Sequence, residues 1–375
     1  MKIKILILSL FGFWACNPKS NPALTDSTST WPDFTPPQNI ILMIGDGMGL
    51  TQISAGMYMN GNKLHLEEFP VIGLHKSYSY NDLITDSAAG AVAFASGIKT
   101  YNGAIGVNAD TIAVQTILED AEAHGLATGL IATSKILHAT PACFFAHQKS
   151  RTMYEEIAAD LLLTDMDLFI GGGKKYFDQR TLDNRNLIEE LQEKGYVISD
   201  YFQQDFNDSL IMDPAFNFGY LTALDAPLPA AAGRDYLTSA SARGIEFLQA
   251  RSPENGFFLM IEGSQIDWGG HANDSDYIIS EMIDFDRAIG TVMDFAKKDG
   301  NTLVIVTADH ETGGYAINPG STMDSLVTAF TTGYHTGCLI PVFAFGPGSN
   351  LFSGIYENTA IYDKMRLAFQ FDKLK

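Results

Sequence analysis

Six short apolar segments, rich in β-branched residues, constrain the fold of this chain more than any other feature of its sequence. They span residues 40–44, 128–132, 168–170, 257–261, 303–307 and 341–345. Segments of this kind are typical of fully buried parallel strands. Longer segments with helical spacing alternate with them, at 113–124, 186–194, 237–250 and 277–298. The alternation predicts an α/β fold, a three-layer sandwich whose central, mostly parallel sheet is flanked by helices.

Acidic residues follow three of these predicted strands at the point where each strand ends. Asp46 follows the first strand, Glu262 the fourth, and Asp309 with His310 the fifth. Any one of them is explained by the need for a polar loop. In open α/β sheets, however, the binding site lies beyond the carboxyl ends of the strands. We therefore expect these distant segments to meet at one edge of the sheet.

Histidines close to these carboxylates add metal-ligand chemistry. Asp267 and His271 are four residues apart, so both can reach one cation, and His335 precedes the last apolar segment. The remaining five histidines are expected on the surface or in the core, with His138 as the exception. Carboxylate, imidazole and serine oxygen suit zinc, whereas carboxylate, hydroxyl and water suit magnesium. Because a pair of zinc ions stabilises the attacking and the leaving oxygen of an in-line displacement, this pattern indicates phosphoryl transfer.

A serine at the predicted start of a helix is the candidate nucleophile. Ser87 precedes an alanine-rich segment that ends at Gly97, so it lies at or just inside a helix N-terminus. One interpretation is that Ser87 only caps this helix. The other is that it attacks phosphorus, because a helix N-terminus presents free N–H groups to an anion. Arg151 is the candidate for binding two phosphate oxygens at once, although a single arginine is more often a solvated surface residue.

Six sequence blocks, in this order, resemble the motifs of the alkaline phosphatase family. They are MIGDGMG around Asp46, TDSAAGAVAFASGIKTYNGAIGV around Ser87, HATPACFFAHQKSR from His138 to Arg151, IEGSQIDWGGH from Ile261 to His271, TADHETGG around Asp309, and YHTG around His335. They extend from about residue 40 to residue 337. One block would be suggestive, but six in the family's order are highly specific.

The resemblance implies a phosphomonoesterase of broad specificity with two zinc ions and one magnesium ion. It assigns the first zinc to Asp267, His271 and His335. It assigns the second zinc to Asp46, Asp309, His310 and the Ser87 oxygen. It assigns magnesium to Asp46, Thr140 and Glu262. In the implied mechanism Ser87 attacks phosphorus in line and forms a phosphoserine that water hydrolyses, while Arg151 binds two non-bridging oxygens.

Two positions depart from well-known bacterial members of the family. His138 and Trp268 stand where those proteins carry Asp and Lys, next to the implied magnesium site and the phosphate, and we expect both to line the substrate site. The segment from His310 to His335 is too short for the interfacial insertion of larger members. The family implies a homodimer.

The alternatives to a monoesterase are three related enzyme classes and one non-enzymatic class. Phosphodiesterases, sulfatases and cofactor-independent mutases share related metal sites, whereas a binding module keeps the fold without turnover. Sulfatases need a C/S-x-P-x-R context, which the sequence around Ser87 lacks. Diesterase relatives usually use Thr as the nucleophile and lack the third metal, for which Thr140 and Glu262 are present. A periplasmic metal-storage or phosphate-binding module would need neither Ser87 nor Arg151. The residues favour the monoesterase.

The N-terminal segment indicates export. Two lysines and an apolar run from Ile5 to Ala15 are typical of a secretory signal, ending near residue 16, and predict a periplasmic or secreted protein. Cys16 is a candidate for a lipid anchor, with ordinary cleavage nearby as the alternative. Residues 17–38 contain five prolines among Ser, Thr and Asn and predict a disordered tether. One catalytic domain is expected over 39–375, with a long surface excursion at 205–229.

The net charge limits the kinds of molecule that this protein can bind, and the cysteines limit the number of its disulfides. The formal net charge of −20 repels nucleic acid and anionic membrane surfaces, so a specific nucleic-acid partner is not expected. The apolar N-terminal run is too short for a membrane span. After processing, only Cys143 and Cys338 remain, and we expect both to be buried small apolar residues rather than part of a disulfide framework.

Overall fold

The computed structural model describes residues 34–207 and 209–371. The predicted signal peptide, Cys16 and the tether residues 17–33 lie outside the described residues. Gln38 already donates its backbone N–H to the Asn301 carbonyl, at 2.8 Å. The predicted start of the catalytic domain near residue 39 stays a prediction.

The strands, numbered in chain order, are β1 (Asn39–Gly45), β2 (Val71–Lys76), β3 (Ala127–Lys135), β4 (Leu168–Gly172), β5 (Tyr196–Asp200), β6 (Asn217–Leu221), β7 (Phe257–Gly263), β8 (Thr302–Thr307), β9 (Glu311–Thr312), β10 (Ala316–Ile317), β11 (Thr328–Ala329), β12 (His335–Thr336), β13 (Leu339–Phe345) and β14 (Gly354–Glu357). All six predicted strands are present. β9 to β12 form two small antiparallel pairs, β9 with β12 and β10 with β11.

The helices are α1 (Leu50–Met59), α2 (Ser87–Ser96), α3 (Ile117–Ala123), α4 (Ala139–Ala142), α5 (Tyr154–Asp160), α6 (Lys175–Asp178), α7 (Leu187–Glu193), α8 (Tyr236–Arg251), α9 (Gln265–His271), α10 (Ser275–Asp299) and α11 (Ala360–Phe369). Short 3₁₀ helices span His65–Glu68, Leu161–Leu163, Ala230–Ala232 and Ser349–Phe352. The helix predicted over 113–124 begins only at Ile117, because the Thr116 side chain caps it in a reciprocal pair with Glu119.

Ten of the described strands form one sheet in the order β14-β2-β13-β8-β1-β7-β3-β4-β6-β5. Helices α8 and α10 pack on one face, and α2, α3, α4 and α11 form the layer on the other. The predicted three-layer α/β sandwich is confirmed. One predicted strand differs in direction, because β13 is antiparallel to both β2 and β8. The chain leaves β8 at its carboxyl end and re-enters the sheet from that same edge, so β13 runs antiparallel to β8.

The central strands are buried on both faces and are aligned at their carboxyl ends. All seven residues of β1 are buried, as are all seven of β7. Ile44 in β1 is the register partner of Glu262 in β7 and of Thr307 in β8. This register brings the residues after β1, β7 and β8 to one edge of the sheet, as the sequence predicts.

Two expectations were wrong in part. The segment 205–229, predicted as a surface excursion, contains β6, which lies inside the sheet between β4 and β5. The Asp- and Pro-rich residues on either side of β6 mask the strand in the sequence. β6 is held in the sheet by pairing with β4 and β5. Cys143 is buried as predicted, but Cys338 is exposed, because it lies in the connection between β12 and β13 at the open edge. Among the described helices, none combines the length and apolarity that crossing a bilayer requires.

Candidate active site

The loop after β1 places the first carboxylate of the site. Asp46 is fully buried, and its backbone N–H donates to the Gly263 carbonyl of β7 at 3.2 Å. The next residue, Gly47, donates its N–H to Asp309 Oδ1 at 3.2 Å. Gly47 has a φ of +74°, and a Cβ there would lie 2.7 Å from Thr312 Oγ1, so only glycine fits. The tight turn thereby joins the ends of β1 and β8.

Ser87 lies against the carboxylates and the imidazole that follow β1 and β8. Its Oγ is 3.5 Å from Asp46 Oδ1 and 3.3 Å from His310 Nε2. His310 Nε2 is in turn 3.6 Å from Asp46 Oδ1 and 3.3 Å from Asp309 Oδ2. The structure therefore brings together the four residues that the family resemblance assigns to the second zinc.

A second group lies around Asp267. Asp267 and His271 share one face of α9, with His271 Nε2 at 3.4 Å from Asp267 Oδ2. His335 Nε2 is 3.5 Å from Asp267 Oδ1 and 3.1 Å from His271 Nε2. The Nδ1 atoms of the two histidines each lie 2.8 Å from a backbone carbonyl, that of Gly333 for His271 and of Thr85 for His335. With Nδ1–H donating to those carbonyls, both Nε2 atoms face Asp267. Nε2 donates to Asp267 when the ring is protonated, and it offers a lone pair to a metal ion when the ring is neutral.

The third group lies at the carboxyl end of β7. Glu262 Oε2 accepts hydrogen bonds from Ser264 Oγ at 2.5 Å and Ser134 Oγ at 3.2 Å. Glu262, Asp46 and His138 offer ligand atoms within 4.8 Å of one another. Asp46 Oδ2 and Glu262 Oε1 are buried oxygens that accept no well-aligned hydrogen bond from the described residues, and the Thr140 side chain lies beside Glu262. His138 thus lies beside the carboxylates that the family resemblance assigns to magnesium.

The electrostatics of the cluster fit divalent cations. Burial first, and then repulsion from Asp309, raises the pKa of Asp46 well above its usual value. Burial raises the pKa of Glu262 to about 7 and, together with repulsion from Asp267, that of Asp309 to about 6. Burial would also raise the pKa of Asp267, but hydrogen bonds from His271 and His335 outweigh it and lower that pKa. Buried carboxylates that repel one another and keep unpaired oxygens are the donors that Zn²⁺ and Mg²⁺ bind.

Ser87 is the first residue of α2 and not its cap. The cap is Asp86, whose Oδ1 accepts the Ala89 N–H at 2.9 Å, so the Ser87 hydroxyl is left for chemistry. The other oxygen, Asp86 Oδ2, accepts from Arg151 Nη1 at 2.9 Å. Asp86 thus ties the start of α2 to the arginine, a role that the sequence reasoning missed. Its position directly before a helix, where Asp is a favoured cap, was the available signal.

Arg151 is buried only in part, and its side chain is 25% exposed, which leaves it reachable for a ligand. Its Nη2 is 3.4 Å from His138 Nε2. Burial first, and then the charge of Arg151, lowers the pKa of His138 to about 3, so His138 is neutral and Nε2 can accept from Arg151. Trp268 packs edge-to-face on His138, with ring centroids 6.0 Å apart. Every predicted site residue therefore lies at this one edge of the sheet.

Such a cluster, at the carboxyl edge of a mostly parallel sheet, defines an α/β enzyme for phosphoryl transfer. The family model for alkaline phosphatase matches residues 37–329. The chain belongs to the alkaline phosphatase family, and its reaction is the hydrolysis of phosphate monoesters.

Individual relatives agree with this assignment. Alkaline phosphatase 3 of Bacillus subtilis is 33% identical over 89% of each chain, and alkaline phosphatase of Escherichia coli is 33% identical over 92% of this chain and 88% of its own. The structure of alkaline phosphatase from the Antarctic bacterium TAB5 has a TM-score of 0.82 and 45% identity, covering 90% of this chain and 99% of that one. Thermus thermophilus alkaline phosphatase, 20% identical with a TM-score of 0.80, shows the common fold.

Proposed function

We propose that this enzyme hydrolyses a broad range of phosphate monoesters through a covalent phosphoserine on Ser87, at a centre of two zinc ions and one magnesium ion. One observation carries the proposal: the Ser87 hydroxyl lies within 3.5 Å of both Asp46 and His310 at the start of α2. A serine that only capped the helix would turn its hydroxyl to the backbone. Here Asp86 is the cap instead.

The ligand sets follow from the three groups at the sheet edge. We assign the first zinc to Asp267, His271 and His335. We assign the second zinc to Asp46, Asp309, His310 and Ser87 Oγ. We assign magnesium to Asp46, Thr140 and Glu262, because each of the two carboxylates keeps one buried oxygen free for a cation and Thr140 lies beside Glu262. When bound, such ions lower the pKa of hydroxyl groups and water and offset the negative charge of phosphate.

The protein's own residues then account for two displacements at phosphorus. Ser87 Oγ forms a bond to phosphorus, the bond to the ester oxygen breaks, and the alcohol leaves with a proton. A phosphate at Ser87 would lie at the N-terminus of α2, where helix N–H groups favour an anion, and Arg151, held by Asp86, would bind two of its oxygens. Water next attacks phosphorus, the bond to Oγ breaks, and phosphate leaves. Two inversions give net retention. The negative charges of Asp46 and Asp309 would offset the positive charge of the cation proposed beside Ser87.

A monoester assay with metal removal tests the proposed function. The purified protein is expected to hydrolyse nitrophenyl phosphate much faster than its methyl diester, because a diester has one fewer non-bridging oxygen for Arg151 and the metal centre. Chelation should abolish activity, and zinc plus magnesium should restore it. A faster diester reaction would favour the phosphodiesterase class. A protein that binds zinc and magnesium yet hydrolyses neither ester would favour a binding module.

Arg151→Lys is expected to lower kcat/KM for nitrophenyl phosphate by about 10²-fold, the scale lost when one preorganised donor is removed. Lysine keeps the positive charge but cannot bind two oxygens in the planar geometry that Asp86 now supports. Inhibition by inorganic phosphate should weaken with it. The matched control is Lys149→Ala, because Lys149 is an exposed cation two residues away. This variant should leave kcat/KM and the inhibition constant of phosphate unchanged. Equal losses in the two variants would refute a specific role for Arg151.

His138→Asp is expected to tighten magnesium binding by about tenfold, a scale on which groups around a metal change its affinity. The neutral imidazole of His138 lies with Asp46 and Glu262, whereas Mg²⁺ prefers oxygen ligands, which the replacement supplies. A TAB5 variant with this same type of replacement, histidine to aspartate, is described with Mg bound in its M3 site. The measurement is activity against magnesium concentration. His147→Asp, outside the cluster, is the control; an unchanged magnesium dependence in His138→Asp would contradict the prediction.

We also propose that the protein is exported and forms a homodimer, as the N-terminal sequence and the family imply. A lipid anchor at Cys16 stays a hypothesis. Mass spectrometry of the mature N-terminus and light scattering of the purified protein test these points.

A further inference from the structure

Thr312 lies between the ligands of the two zinc groups, and the mechanism above leaves it without a role. The side chain is fully buried. Its Oγ1 is 2.5 Å from Asp267 Oδ1, in the first zinc group, and 3.2 Å from His310 Nδ1, in the second. One hydroxyl therefore contacts one ligand of each site.

The chemistry of these three groups fixes the direction of both hydrogen bonds. A carboxylate only accepts, so the single Thr312 proton goes to Asp267. Thr312 must then accept from His310, whose Nδ1 carries the proton. His310 Nε2 keeps its lone pair, and this is the atom that lies 3.3 Å from Ser87 Oγ. The chain of hydrogen bonds selects the one tautomer of His310 that can bind a cation beside the nucleophile.

The backbone around Thr312 holds the hydroxyl in place. The Thr312 N–H donates to the Gly47 carbonyl at 3.3 Å, and its carbonyl accepts from Gln52 Nε2 at 2.8 Å. Thr312 is also the register partner of His335 in the β9–β12 pair. A Cβ on Gly270 would approach Thr312 Cβ to 2.7 Å, which shows how closely α9 packs on it. The residue is tied to the segments that carry Asp46, Asp267 and His335.

We propose that Thr312 is a positioning residue that couples the two zinc sites, because its hydroxyl orients Asp267 and fixes the His310 tautomer at the same time. The inference rests on the proposed two-zinc centre. Partners of this kind, behind the metal ligands, hold the ligands in their binding orientation. Loss of the hydroxyl should therefore weaken both sites, and not only the nearer one.

The test compares Thr312→Val, which removes the hydroxyl at similar size, with Thr312→Ser, which keeps it. The metal-free protein is titrated with zinc against a chromophoric chelator and with Co²⁺, whose visible absorption reports ligand geometry. Thr312→Val is expected to weaken both zinc affinities by about 10- to 100-fold and to change the Co²⁺ spectrum. Thr312→Ser should restore affinities and spectrum to those of the wild type. If the valine variant does not fold, Thr312→Ala replaces it.

Thr302→Val is the matched control. Thr302 is a buried threonine whose Oγ1 also donates to a carboxylate, Asp299 Oδ2 at 2.6 Å, but it begins β8 at the opposite edge of the sheet. This variant should lose stability and keep both zinc affinities. Wild-type affinities in Thr312→Val, weakening at one site alone, or failure of serine to restore binding would overturn the inference. A wild-type protein that binds no zinc would instead overturn the proposed two-zinc centre.

Discussion

Ser87→Ala is expected to lower kcat/KM for phosphate monoesters by about 10⁴-fold or more, because removal of a nucleophile costs this order of magnitude in enzymes with covalent intermediates. Alanine fits the first position of α2 and leaves the Asp86 cap intact, so the fold should not change. Zinc should still bind through Asp46, Asp309 and His310. Initial rates measure the loss, and mass spectrometry after acid quenching should find a phosphorylated chain in the wild type only.

Ser96→Ala is the control for this prediction. Ser96 is the last residue of the same helix, is buried, and its hydroxyl makes no hydrogen bond to the described residues. Its replacement should leave the rate and the phosphorylated species unchanged. Undiminished hydrolysis by Ser87→Ala would show that another group attacks phosphorus.

Asp46→Asn is expected to lower kcat/KM by about 10²- to 10³-fold, the scale of losing a preorganised electrostatic group. Asp46 lies in two clusters of ligand atoms, the proposed second zinc site and the proposed magnesium site, so one neutral amide should weaken both. Without added metal, the variant should unfold at a higher temperature than the wild type, because it lacks a buried carboxylate that Asp309 repels. With metal at a hundred times its Kd, the wild type should gain about 2.7 kcal/mol per site, and the variant much less.

Asp286→Asn is the control for Asp46→Asn. It shows how stability changes when a buried carboxylate outside the metal groups is lost. Asp286 is buried and accepts the N–H groups of His65, at 2.9 Å, and Leu66, at 3.2 Å, away from the metal groups. Its replacement should lower stability with and without metal and leave the metal response intact. An Asp46→Asn protein that zinc and magnesium stabilise as strongly as the wild type would contradict the ligand assignment. Calorimetry with and without both ions gives the comparison.

The elements that the sequence predicted well are those whose burial leaves a continuous apolar pattern. β1, β7 and β8 are covered on both faces, so each has a continuous apolar run, and the acidic residue that follows each run is visible in the sequence. β6 was missed because only a few of its residues are apolar and its flanks are polar. The antiparallel direction of β13 was also missed, since a single strand carries the same pattern in either direction.

The sequence alone determined which residues are available for chemistry: the carboxylates and histidines after the strands, Ser87 before a helix, and the family's six motifs in order. Only the tertiary structure decided how they are used. It made Asp86 the cap of α2 and joined His310 to Asp267 through Thr312. The physical reason is that local propensity acts over a few neighbouring residues. Contacts between remote segments, such as that of Gly47 with Asp309 across 262 residues, arise only when the parallel strands align their ends at one edge of the sheet.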